Sequence, residues 1–131
     1  MAATRGVSSD VPRALRALTL LHAALDAPFG LALLVSPAHA LSATGVSPDP
    51  LFARLYGAAL VAVAVVSVRV RDEGVVTYRV VLTHKVAWAV AAGVGCAVAG
   101  RAGAGAGAWL FAATFGVFAA LWGYWLRRLR A

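Results

Sequence analysis

Four apolar stretches, each about the length a helix needs to cross a bilayer, take up most of this 131-residue chain. A spanning helix requires about 20 mostly apolar residues. Residues 14–36, 50–70, 78–99 and 106–126 each meet that requirement, and Pro37 is expected to end the first. The connections are short, so consecutive segments must run in opposite directions. The expected fold is all-α: a four-transmembrane-helix antiparallel bundle forming one integral membrane domain over residues 1–131. Composition agrees, since 62% of residues are hydrophobic and 13% charged, against roughly 45–50% and about 25% in soluble domains.

The connecting segments read differently from one another. Asp10 or Ser9 is expected to cap the first helix, with Pro12 in its first turn. The segment SPAHALSATGVSPDP reads as a loop with three prolines and no Lys or Arg. RVRDEGVVTY is short and charged, and GRAGAGAGA is low-complexity and expected to be flexible. His39 and Asp49 read as solvated loop residues, too few for a metal site.

The net charge of +7 raises the question of nucleic acid. The arginines flank apolar segments rather than forming a solvated stripe, and no aromatic stacking platform accompanies them, so nucleic-acid binding is not expected. Their distribution instead sets a topology. Arg5, Arg13, Arg16, Arg69, Arg71, Arg79, Arg127, Arg128 and Arg130 fall on one side of a four-helix arrangement, and Arg54 and Arg101 on the other. Both termini are therefore expected to be cytoplasmic in a multi-pass protein of the cell membrane. Trp122, Tyr124 and Trp125 suit an inner aromatic belt and Trp109 an outer one. The Arg-rich start, the apolar run and Ala38-His39-Ala40 also resemble a cleavable signal peptide. That run is too long, however, and is interrupted by His22, Asp26 and Pro28; a mature protein starting at Leu41 would refute the four-helix reading.

Lipid tails are as apolar as leucine, so helices in a membrane associate partly through close approach at small residues. Ala108, Ala112, Gly116 and Ala120 form a four-residue-spaced stripe on the fourth helix. Ala87, Ala91, Gly95 and Ala99 form another on the third, and Ala53 and Gly57 begin one on the second. These read as packing surfaces. Phe111, Phe115 and Phe118 lie beside the first stripe and read as packing or lipid-facing residues. Pro28 and Gly30 mark a place where the first helix can kink.

The buried polar candidates are His22, Asp26, Arg54, Tyr56, His84 and Lys85. Thr19, His22 and Asp26 share a helical face. With about 1.5 Å rise per residue, Asp26 lies roughly 15 Å beyond Arg16, near the bilayer midplane. An ionisable group there marks a functional site or an ion pair. Arg54 approaches from the outer side and Lys85 from the inner side, so either can pair with Asp26, while Lys85 by itself is expected to snorkel to the cytoplasmic surface. His22 beside Asp26 could relay protons. Trp88 lies one turn from Lys85, where a cation–π contact is expected to be feasible.

Cys96 is the only cysteine and reads as a packing residue, which leaves no intrachain disulfide. CxxC, P-loop and GxSxG signatures are absent, and no catalytic residues, cofactor or metal are expected.

Three stretches carry a resemblance to a family. LLHAALDAPFGLALLVSP is an apolar helix with an acid, a glycine and a terminal proline. LFARLYGAALVAV holds an Arg-x-x-Gly core, and Lys85 stands early in the next helix. Together they resemble the small uncharacterised four-helix bacterial membrane proteins grouped as DoxX-like. The resemblance implies a four-helix bundle and, for the namesake group, an accessory role near quinone-linked redox enzymes. Asp26, Arg54 and Gly57 are the positions that match its pattern.

The function expected from these readings is a non-enzymatic membrane protein whose polar core binds a small amphiphile or supports a partner, either another membrane protein or a second copy of the chain. A small proton-coupled transporter is an alternative, because small multidrug transporters also carry an acid in the first of four helices. Their antiparallel dimers need dual insertion, which the nine-to-two arginine split opposes. A lipid- or quinone-linked enzyme using His22 and Asp26 as acid and base lacks a nucleophile or metal set.

Overall fold

A computed structural model of the chain describes residues 10–46 and 49–130. Among these residues the regular structure is entirely helical: α1 (Arg13–Val35), α2 (Pro37–Leu41), a single 3₁₀ turn (Ser42–Thr44), α3 (Pro50–Arg69), α4 (Val75–Arg101) and α5 (Ala106–Arg128). The four long helices are each long and apolar enough to cross a membrane. Their boundaries lie within a few residues of those expected from the sequence.

The connections account for most of the differences. Pro37 does end the first long helix, but it also opens α2, since its fixed φ and missing N–H suit a first helical position. The expected loop is therefore partly helical. Asp49 is not simply solvated: its carboxylate accepts from the Leu51 and Phe52 amides at 2.8 and 3.3 Å and caps α3, with Pro50 in the first turn. At the start of α1 the expected cap is absent. Pro12 stands just before the helix and no side chain caps it. Val11 is buried in the core and directs the entry, leaving Asp10 exposed; Ser9 and Arg5 lie outside the described residues. Within GRAGAGAGA only residues 102–105 form the turn between α4 and α5, in which Gly103 and Gly105 take φ of +93° and +83°, a region that glycine enters without Cβ cost.

The long helices associate in two sequence-adjacent pairs, α1 with α3 and α4 with α5. The first pair closes at a glycine–glycine contact. A Cβ added at Gly57 would lie 2.6 Å from the Gly30 carbonyl oxygen, and one at Gly30 would lie 2.7 Å from that of Gly57. Gly57 is thus a packing residue, as its spacing with Ala53 predicts. Gly30 serves packing, and α1 is helical throughout its length, Pro28 included. In the second pair, Gly93 faces the Cβ of Phe115 and the carbonyl of Ala112. The stripes expected on α4 and α5 fare differently. Ala112 is half-buried against α4, whereas Ala91, Gly95 and Gly116 are exposed, and a Cβ at Gly95 or Gly116 would meet open space. Four-residue spacing selects a face without saying which way it points: on α4 the buried positions lie off the stripe, at Tyr78, Leu82, Lys85 and Ala89, and on α5 the stripe turns inward only at Ala108 and Ala112.

Larger side chains join the two pairs. One apolar cluster gathers Val11, Leu15, Tyr78, Leu82, Trp122 and Leu126, so the beginnings of α1 and α4 meet the end of α5. Arg79 donates to the Leu129 carbonyl at the same end and ties down the C-terminal turn. A second cluster, built on Leu33, Leu41, Ala53 and Leu60, joins the end of α1, α2 and α3, with Phe111 of α5 packed against it. Thr44 and Val46 rest on Gly107, where no side chain would fit. Outward faces carry exposed leucine or valine along all four long helices.

Candidate functional site

Between the two pairs lies a cavity of about 140 Å³. His22, Asp26, Tyr56, His84 and Lys85 all line it, so five of the six polar candidates converge on one space. His22 and Asp26 come from α1, where a four-residue separation stacks them on one face. The Nδ1 of His22 lies 2.8 Å from Oδ2 of Asp26, and both side chains are 13% exposed. Thr19, on the same face, donates back to the Leu15 carbonyl at 2.9 Å and does not join them.

Lys85 reaches the pair from α4. It is only 4% exposed, and its Nζ lies 3.4 Å from His22 Nδ1 and 5.0 Å from the Trp122 ring centroid. The expected snorkelling does not occur. Lys85 falls on the inward face of α4 with Tyr78, Leu82 and Ala89, and a histidine nitrogen and an indole face receive its ammonium there. The cation–π partner is therefore Trp122, not Trp88. Trp122 itself is buried at 1% exposure and belongs to the core instead of the expected inner belt. Its ring and that of Phe118 meet His22 edge-on, with centroids 5.2 and 4.7 Å away.

Arg54 is the candidate left outside. It is exposed, and its Nε donates to the Leu34 carbonyl at 3.2 Å, filling an acceptor in the last turn of α1. Its position near the end of the helix pair makes that carbonyl a nearer partner than Asp26. His84 is exposed and sits at the cavity rim, because it is turned about one residue step from Lys85.

One nitrogen thus faces both an anion and a cation. Nδ1 can accept from the Lys85 ammonium or, when protonated, donate to Asp26, but it cannot do both. The Lys85 ammonium is placed to donate to it when Nδ1 carries no proton. Oδ2 of Asp26 is shielded from solvent and, among the described residues, has no donor aligned on it; it lies 2.8 Å from Nδ1, a contact that is an ion pair only when His22 is protonated.

Aromatic rings complete the walls. Tyr56 of α3 stacks on Trp88 of α4 at 6.3 Å with planes 11° apart and meets Phe115 edge-on at 6.4 Å. Phe111, Phe115, Phe118 and Trp122 all line the cavity. Their spacing of four, three and four residues is the signal that identifies Trp122 as inward-facing. Among the described residues no group of His, Cys, Asp and Glu is arranged to hold a metal ion.

No family, curated protein or solved structure matches this chain.

Proposed function

We propose that the chain is a multi-pass membrane protein, an antiparallel four-helix bundle with both termini cytoplasmic, whose interior binds a small amphiphile. The observation that carries this reading is the cavity between the helix pairs, with charged groups on one wall and aromatic rings on the others. Pockets that are mostly apolar with a few convergent polar groups are the usual form of small-molecule sites. A buried lysine and aspartate are costly to keep in a bilayer, which favours a role that uses them. The apolar outward faces and the arginines gathered at one end support the insertion and its direction. Binding without catalysis is preferred because the sequence carries no CxxC, P-loop or GxSxG signature. A partner complex of the kind the DoxX-like resemblance implies is compatible with this role, with the cavity as the amphiphile site.

Native mass spectrometry of protein released from its own membrane tests this directly. The wild-type chain should retain a lipid-sized adduct, and Asp26→Asn should lose it while still inserting. An adduct unaffected by Asp26→Asn, or none on the wild type, counts against the reading.

A second reading, a proton-coupled transporter, draws on His22 alone, because a nitrogen between an acid and a base is suited to passing a proton. Proton flux into vesicles that depends on His22 would favour it over passive binding.

A further inference from the structure

The cavity does not end at its aromatic wall. Beyond the Tyr56–Trp88 stack lies a wholly apolar groove of about 400 Å³, with Phe52 and Ala53 of α3 on one side and Ala92 and Cys96 of α4 on the other. Tyr56, Trp88, Phe111 and Phe115 line both spaces, so one partition of rings separates them. The groove exists because α3 and α4 belong to different pairs and make no extensive backbone contact. The stacked rings of Tyr56 and Trp88 bridge the two helices at this level.

We propose that the groove and the cavity form one site for a single-chain amphiphile: its hydrocarbon chain lies in the groove between α3 and α4, and an uncharged hydroxyl-bearing headgroup passes the Tyr56–Trp88 stack to reach Asp26 and Lys85. This rests on the reading of the cavity as an amphiphile site and adds the entry route and the headgroup class.

Three observations fix the headgroup. Its size is bounded by a cavity of about 140 Å³, close to one that holds a single benzene ring. Its charge is set by Lys85 and Asp26, which offset each other; a charged headgroup would leave one of three buried ions without a counterpart. Its donor is set by Asp26, whose buried Oδ2 has no aligned hydrogen bond among the described residues. A hydroxyl can donate to that oxygen, and its own oxygen can accept from the Lys85 ammonium. The groove offers the chain no polar atom, so it suits hydrocarbon alone.

The test uses the full chain in phosphatidylcholine nanodiscs, with Trp109 and Trp125 replaced by phenylalanine so that Trp88 and Trp122 report. The probe is a monoacylglycerol with a dibrominated eighteen-carbon chain, compared with the fatty acid, amine and methyl ester of the same chain. Quenching should saturate with the monoacylglycerol at a mole fraction about tenfold below that of the other three, as one buried hydrogen bond allows. Ala92→Phe, which fills the groove, should weaken every probe about tenfold through lost chain contact. Asp26→Leu should remove the preference for the alcohol over the ester. Equal saturation by alcohol and ester overturns the headgroup assignment. Binding that survives Ala92→Phe but fails in Val63→Phe, a cavity-lining change, overturns the groove and leaves the cavity reading standing. Saturation by none of the probes, with both variants silent, removes the amphiphile reading as well.

Discussion

Adding one methyl group at Gly57 forces α1 and α3 apart. The new Cβ would stand 2.6 Å from the Gly30 carbonyl oxygen, 2.9 Å from the Leu33 Cβ and 3.2 Å from the Leu34 nitrogen. Two of those neighbours are backbone atoms and none is the free end of a flexible side chain, so the helices must separate. Overpacking of this kind costs about 1–3 kcal/mol, and rigid neighbours place Gly57→Ala near the top of that range. Alanine returns about 1 kcal/mol through its better helix propensity. The expected net loss is about 2 kcal/mol. Gly30→Ala meets the Gly57 carbonyl at 2.7 Å and should cost a similar amount. One separation relieves both clashes, so the double variant should lose less than the sum of the singles. Gly116→Ala is the control: its Cβ enters open space and should be neutral or stabilising. Reversible unfolding in mixed micelles, titrated with a denaturing detergent, measures all four. A loss below about 0.5 kcal/mol at Gly57, or full additivity with Gly30, would refute the glycine–glycine contact as the origin of the α1–α3 pairing.

Lys85→Met strands the Asp26 carboxylate and should cost about 3 kcal/mol in the same assay, with much of the loss recovered in Lys85→Met/Asp26→Asn; no recovery would mean that the two charges do not compensate each other. Arg54→Ala removes one exposed hydrogen bond to the Leu34 carbonyl and should cost less than about 1 kcal/mol without altering ligand retention, an outcome that a direct Arg54–Asp26 pair would contradict. Reporter fusions at the C-terminus should show a single, cytoplasmic orientation, and a substantial population in both orientations would restore the dual-insertion transporter.

The long helices were legible because twenty-residue apolar runs have few other uses, and the stacking of His22 and Asp26 on one face of the first helix followed from their four-residue spacing. The direction of Lys85 was not legible. Its stem can turn to the surface or inward, and the choice depends on Trp122 and His22, which lie 37 and 63 positions away in sequence. Trp122 was hidden for a related reason: tryptophan near a helix end satisfies the rule for an interfacial belt, and only its continuation of the 111, 115, 118 series marks it as interior. The glycines show the limit of composition. Gly57 and Gly116 look alike in sequence, yet one is pressed against a carbonyl and the other borders open space. Asp49 and Pro50 carried a readable start signal for α3, and α2 was obscured because Pro37 fits the end of one helix and the start of the next.

Each helix pair is a contiguous piece of the chain, the first complete at Arg69 and the second beginning at Val75. During synthesis the first hairpin can therefore close on its own glycine contact before any of α4 has left the ribosome. The second pair can then dock against the first. Its arrival encloses Asp26 and supplies Lys85 in the same step, so the exposed acid of the half-made protein is covered by the segment that balances its charge.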